Sequence, residues 1–165
     1  MTERFRRELV ALVPKLRRFA YALTGNRQDG DDLVQAACER ALRNLVHYRA
    51  GTRMDSWMYR IIQRLWAEDH RRARRFDDAD PVGLGDEERD ASLPEDRMRQ
   101  ARTRAAIADL PDVQRAVVAL VVIEGLSYRE AADVLDLPVG AVMSRLSHAR
   151  EVLLPRLCLL SGRRP

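Results

Sequence analysis

SYREAADVLDLPVGAVMSRL, Ser127 to Leu146, reads as two short helices meeting at a tight turn. Ser127 with Glu130 three residues later is a capping-box start, and Ala131, Ala132, Val134 and Leu135 supply a small apolar face for the first helix. Asp136-Leu137-Pro138 breaks it, because Pro138 has no N–H and biases Leu137 away from helical angles. A second helix restarts at Val139, and Val142, Leu146, Ala149 and Leu153 recur at helical spacing. Met143, Ser144, Arg145, Ser147 and His148 then fall on its other faces. Such a pair suits a helix-turn-helix whose second helix lies in a DNA major groove. A helical hairpin inside an ordinary bundle has the same pattern, so the rest of the chain must choose.

Composition narrows the choice. The 165 residues are 33% charged and only 5% aromatic, which favours small, charged, helical domains, one or two in number. Residues 1–76 hold 17 basic and 9 acidic side chains, a net +8; residues 77–99 hold 3 and 9, a net −6; residues 100–165 hold 9 and 7, a net +2. Two basic modules around an acidic connector suit a polyanionic partner. Cys38 and Cys158 are too few and too isolated for a disulfide framework or a zinc site, and are expected as reduced core thiols. With only His47, His70 and His148, no metal spacing, no phosphate-binding glycine loop and no nucleophile beside a base, the chain offers no catalytic residues, and no cofactor is expected. No apolar run reaches membrane-spanning length and the amino terminus lacks a signal-peptide pattern, so a soluble, cytoplasmic protein is expected.

Most of the remaining chain reads as helices. Phe5, Leu9, Leu12, Val13, Leu16, Phe19, Ala20 and Leu23 predict an amphipathic helix over 3–24, with Pro14 either kinking it or starting its main part. Gly25 or Asn26 supplies the left-handed stop. Asp29 to Leu45 carries Asp29, Asp31 and Asp32 at its positive end and Arg40 and Arg43 near its negative end, a favourable order. Its stripe of Leu33, Val34, Ala37, Cys38, Ala41 and Leu45 leaves Asp32, Gln35, Glu39, Arg40 and Arg43 outward. The connector HYRAGTRMD, His47 to Asp55, is dense in aromatic, basic and hydroxyl groups. From Ser56 to Arg75 a band of Trp57, Met58, Ile61, Ile62, Leu65 and Trp66 is edged by Tyr59, Gln63, His70 and six arginines that include Arg60 and Arg64. Arginines track phosphates and aromatics stack on unpaired bases, although a helical tryptophan is more often core. Residues 76–93 read as a flexible acidic linker, after which Pro94 opens one helix and Asp112 another. Val113, Ala116, Val117, Leu120, Val121 and Ile123 make that second one the core beneath the helix-turn-helix, ended by Gly125.

In this order the elements resemble the extracytoplasmic-function group of sigma-70-type RNA polymerase sigma factors. The matching stretches are DDLVQAACERAL (31–42), HYRAGT (47–52) and SWMYRIIQRLWAEDHRR (56–72) for region 2, and residues 110–151 for region 4. LVPKLRRFAYALTGN (12–26) further resembles the general-stress subgroup of alphaproteobacteria. The resemblance implies an all-α chain of two domains: a region 2 domain over 1–75, the linker 76–93, and a region 4 domain over 94–165. It implies a promoter-specificity subunit, not an enzyme, whose partners are core RNA polymerase, promoter DNA and an anti-sigma factor, with no small-molecule substrate and no membrane insertion.

Residue by residue, the resemblance implies core-polymerase binding by Asp31, Asp32, Leu33, Gln35, Glu39 and Arg43. It assigns minus-10 recognition to His47, Tyr48 and Arg49 in the loop and to Trp57, Tyr59, Arg60, Gln63 and Arg64 on the helix. Minus-35 recognition falls to Val139, Gly140, Ala141, Met143, Ser144, Arg145, Ser147 and His148, with Ser127, Tyr128 and Arg129 on flanking phosphates. The chain departs from the family pattern at four places: Arg64 replaces a common asparagine, Asp136 a glycine in the turn, and Ala141 and Met143 a threonine and a lysine. Two alternatives stand beside this one. A sigma-like mimic that only binds an anti-sigma factor would be expected to carry a receiver domain, for which no residues are left over; a helix-turn-helix repressor would leave the 31–42 helix and the aromatic loop unused.

Overall fold

The computed structural model describes residues 2–49, 51–76 and 94–160, and all regular structure among them is helical. Seven α-helices run α1 (Thr2–Thr24), α2 (Arg27–Arg43), α3 (Met54–Phe76), α4 (Glu95–Ala108), α5 (Asp112–Val118), α6 (Tyr128–Leu135) and α7 (Val139–Leu160). A 3₁₀ turn, Leu45–His47, follows α2, and a π-helical turn, Ala119–Ile123, extends α5. Apart from Phe76, which closes α3, the expected linker 76–93 lies outside the described residues.

Helices α1, α2 and α3 form the first bundle. Phe5, Leu9, Leu16, Phe19, Ala20 and Leu23 recur on one face of α1 and are buried. That face meets Leu33, Val34, Ala37 and Ala41 of α2 and Met58, Ile62 and Trp66 of α3. Helix α1 runs unbroken through Pro14. The missing N–H orphans the carbonyl of Val10, a residue on the solvent side at 64% exposure, where water can take its place. The corner into α2 is built by Gly25 at φ +82° and by Asn26, whose side chain accepts from the Asp29 N–H at 2.8 Å. Gly30, unremarked in the sequence, sits where an added Cβ would lie 2.3 Å from the Tyr21 ring, so α1 and α2 approach as closely as they do only because it has no side chain.

The second bundle packs α4, α5 and α6 around α7. Ala116 to Leu120 form an unbroken buried run, a pattern that one stripe of a straight α-helix cannot give. The π-helical turn at Ala119 rotates the register and turns extra residues inward. Val113, expected in the core, lies in the first turn of α5 and is 42% exposed. Ser127 and Glu130 form both bonds of the capping box, and Asp136 ends α6 in the left-handed conformation at φ 57°. Cys158 is exposed and Cys38, at the edge of the core, is half-buried, so neither is the core thiol expected.

The two bundles pack on each other. The C-terminal end of α1 meets α4, α5 and the π-helical turn, and α3 meets α6, so buried residues of both bundles belong to one continuous core. At the seam an added Cβ on Gly25 would stand 3.2 Å from the Ala108 Cβ. Arg115 spans the join: its guanidinium lies 5.5 Å from the Trp66 ring of α3 and donates to the carbonyls of Leu23, Leu110 and Ala108. Those carbonyls lie at or just past helix C-terminal ends, where backbone acceptors lack partners within the helix and favour a cation. Burial pulls the Arg115 pKa down while Asp112 and Asp109 work against that fall.

Candidate nucleic-acid interface

Three surfaces gather the residues singled out from the sequence. The first is the outer face of α2. Asp32, Gln35, Glu39 and Arg43 are exposed on it, with Gln35 donating to Glu39 at 3.3 Å and Arg43 3.8 Å from Glu39. Asp31 is half-buried: it accepts from Tyr21 Oη at 2.6 Å and lies 3.3 Å from Arg17. Leu33 departs from the expectation. It is 6% exposed and packs into the first bundle, because the Leu33–Val34–Ala37–Ala41 stripe faces α1 and α3.

The second surface is the loop after α2 with the adjoining half of α3. His47 and Arg49 are exposed, and Val46, 93% exposed, protrudes furthest. Beneath them Phe5, Tyr48 and Trp57 form an aromatic cluster with ring centroids 5.2–6.2 Å apart, at angles favoured by the ring quadrupoles. Tyr48 Oη donates to the Thr52 carbonyl at 3.0 Å, closing the loop around Gly51, whose φ is +98°. Tyr48 and Trp57 thus brace the loop while their half-exposed edges border it. On α3, Arg64 is exposed, and Arg60 and Gln63 are half-buried.

Tyr59, expected at the minus-10 surface, is turned into the core. It is 1% exposed, its ring 5.0 Å from that of Phe19, and its hydroxyl donates to Glu124 at 2.8 Å. Burial, then the bond to Glu124, pushes its pKa far above the ordinary tyrosine value. A side chain so enclosed has no face left for a base.

The third surface is the start of α7. Val139, Gly140, Met143, Ser144, Ser147 and His148 are exposed, Ala141 is half-buried, and space is open around Gly140. Ser127, Tyr128 and Arg129 are exposed at the start of α6, ahead of the turn. Arg145 differs from its neighbours. It is half-buried, with one guanidinium nitrogen enclosed, and lines a cleft of about 250 Å³ between the bundles with Gln63, Trp66, His70 and Leu137.

The ion pairs and hydrogen bonds that join these surfaces carried no signal in the sequence. Arg53, in the loop, forms two bonds with Asp55, at 3.2 and 2.7 Å, and pairs with Glu130 of the capping box. Burial alone would raise the Asp55 carboxyl, but Arg53 and the Ser56 N–H more than offset it, so its pKa falls below the usual carboxylate value. The Glu130 carboxylate is likewise lowered, chiefly by the Ser127 N–H and hydroxyl. Arg60 donates to the Asp133 carbonyl at 2.6 Å, Arg18 donates to Glu124 at 2.8 and 2.9 Å, and Arg74 to Asp112 at 3.1 Å. Partners separated by up to 106 residues cannot be paired from one sequence.

Comparison with known proteins places this geometry. Residues 9–63 match the family model for the Sigma2 domain of PhyR, and residues 100–153 match Sigma-70, region 4. The ECF RNA polymerase sigma factor EcfG of Rhodopseudomonas palustris is 34% identical over 154 residues, which span 93% of this chain and 84% of that protein. The chain belongs to the extracytoplasmic-function group of RNA polymerase sigma factors. The sigma-E factor of Haemophilus influenzae is 31% identical over 78% of this chain and 74% of its own. Among solved structures, the sigma factor RpoE of Bartonella quintana, in complex with the anti-sigma factor NepR, superposes with a TM-score of 0.76 at 25% identity, over 98% of this sigma factor and 99% of that chain. The anti-anti-sigma factor PhyR of the same organism, also bound to NepR, shares the fold at 17% identity and a TM-score of 0.63; this chain spans half of it. No helix among the described residues of this sigma factor is long and apolar enough to cross a membrane.

Proposed function

We propose that this sigma factor divides promoter recognition between its bundles. The exposed carboxylates and amide of α2, at Asp32, Gln35 and Glu39 with Arg43, dock on core RNA polymerase. The protruding loop with Arg60, Gln63 and Arg64 takes the unpaired minus-10 strand, and the open N-terminal face of α7 enters the minus-35 major groove. The observation that carries this reading is the separation of three exposed polar surfaces on one chain, each rigidly backed: α2 by its buried stripe, the loop by the Phe5–Tyr48–Trp57 cluster, and α7 by the capped α6. Of Met143, Ser144, Arg145, Ser147 and His148 on α7, only Arg145 and His148 offer a cationic or ring donor to bases, so upstream recognition leans also on Ser144, Ser147 and backbone proximity at Gly140.

The protein acts in the cytoplasm without catalysing a reaction, under an anti-sigma factor, the arrangement named for the RpoE relative. Purified protein added to core polymerase gives promoter-dependent transcription; failure to bind core polymerase overturns the reading.

One observation favours a second reading. The first half matches a family model built on PhyR, an anti-anti-sigma factor in the Bartonella structure. A protein of that kind binds the anti-sigma factor without supporting transcription, so the same assay separates the two.

A further inference from the structure

The exposed face at the start of α7 is poor in hydrogen-bonding groups. Met143 is 51% exposed and Val139, one turn before it on the same side of the helix, 40%. The first two turns hold one cation, Arg145, and it lines the cleft against α3. Gly140 adjoins the apolar pair. A Cβ added there would meet nothing within 4 Å, so the helix carries a notch of bare backbone. By helical spacing Met143 and Val139 border that notch on one side and Ser144 on the other.

Neither common structural reason for a glycine applies at Gly140. Its φ is not positive, and no neighbour crowds the position. The free chain would take an alanine there without a clash, and alanine favours a helix. What the missing side chain provides is room for something that approaches α7 from outside.

In a major groove most of what a base pair presents is a hydrogen-bond donor or acceptor, which asks for a polar partner. The exception is the C5 methyl of thymine. We infer that Met143 and Gly140 form a thymine-reading site: with α7 in the groove, the notch admits a base edge close to the backbone, and the thymine methyl packs on the Met143 side chain beside Val139. This deepens, and rests on, the assignment of α7 to the minus-35 element proposed above. Three rotatable bonds and a polarisable thioether let methionine follow the groove floor. Ser144 can donate or accept, so it fits more than one base edge and leaves the choice at this position to the methyl.

The test uses holoenzyme formed from the full chain and core polymerase. The wild type first selects its upstream element from a randomised duplex library. That duplex is then resynthesised with deoxyuridine in place of one thymidine at a time, which removes the C5 methyl and keeps the base pairing. At the thymidine that Met143 meets, the replacement should weaken binding about fourfold, the worth of burying one methyl group. Met143→Ala should bind the thymidine duplex more weakly by a similar factor and lose nothing further on deoxyuridine, so the two changes are not additive. Met143→Leu should keep the sensitivity. Gly140→Ala should unfold at a temperature no lower than the wild type, yet lose more affinity for the selected duplex than Met143→Ala does.

A wild type indifferent to deoxyuridine at every thymidine overturns the inference. So does a Met143→Ala variant that keeps the full loss, a Met143→Leu variant that has none, or a Gly140→Ala variant that binds like the wild type. In each of these cases the selected element and the division of promoter reading still stand. A wild-type holoenzyme that selects no upstream element removes the proposed role of α7, and the thymine site with it.

Discussion

The Tyr59 hydroxyl donates to Glu124 at 2.8 Å, joining α3 of the first bundle to the end of the second bundle's core helix. Tyr59→Phe removes that donor and leaves Glu124 bound to Arg18. The variant loses about 1.5–3 kcal/mol by denaturant unfolding, the net worth of a hydrogen bond to a charged group. The folded Tyr59 pKa is raised, so the folded state keeps a proton that the unfolded state releases once pH passes about 10. Stability is therefore whole below about pH 10 and falls as pH rises above it. The fall is shallower in Tyr59→Phe, which chemical denaturation between pH 9 and 11 measures.

The opposite sign holds at the Arg53 cluster. The folded pKa values of Asp55 and Glu130 are lowered, so their contribution is present above the ordinary carboxylate range and disappears as pH falls from about 4 through the folded values. Acid should loosen the α3–α6 contact first. Arg53→Gln removes the pairing already at neutral pH and flattens that acid dependence, a difference that scattering and denaturation between pH 3 and 6 would show.

Gly30 lies under the Tyr21 ring, which is pinned by the bond from Tyr21 to Asp31. Gly30→Ala forces the ring or the helix to shift. The expected loss is about 1–3 kcal/mol despite the better helix propensity of alanine, because crowding outweighs propensity here. A gain in melting temperature would contradict this.

Asp136 holds the left-handed cap of α6 at φ 57° and ψ 46°. Asp136→Gly relieves the strain and should stabilise by about 0.5 kcal/mol after the extra freedom of glycine in the unfolded chain is counted. Asp136→Val should cost about 1–2 kcal/mol, since a β-branched residue pays most at positive φ. Thermal unfolding of the pair gives the sign directly.

Asp32 and Arg145 separate the polymerase and DNA surfaces. Asp32→Ala should weaken core polymerase binding, while Arg145→Ala spares it and impairs upstream-element recognition. Equal losses of core binding in both, measured with labelled core enzyme, would dissolve the division of labour.

The helices were legible because each carries its own signals. The Ser127–Glu130 box, the Asp136–Pro138 break and the apolar faces of α1, α3 and α6 are local, and local patterns survive in any packing arrangement. The direction that three side chains take from their helices was not legible. Leu33 and Tyr59 sit within functional motifs by sequence order, yet their positions on the helix turn them into the core. Arg145 lies one residue from exposed Ser144 but on the side facing α3. The shift at Ala119 was invisible for a related reason: a π-helical turn changes the period, and the hydrophobic pattern was read with one period throughout.

The sequence by itself determined the all-helical architecture, the order of the elements and the family, since periodicity, caps and charge placement are properties of neighbours along the chain. The seam between the bundles was decided only by tertiary structure. Arg18, Tyr59, Arg60 and Arg115 look like solvated or DNA-facing groups when read alone. Each acquires its partner from a helix far along the chain, and burial makes those partners matter, because a donor enclosed without an acceptor costs far more than one left in water.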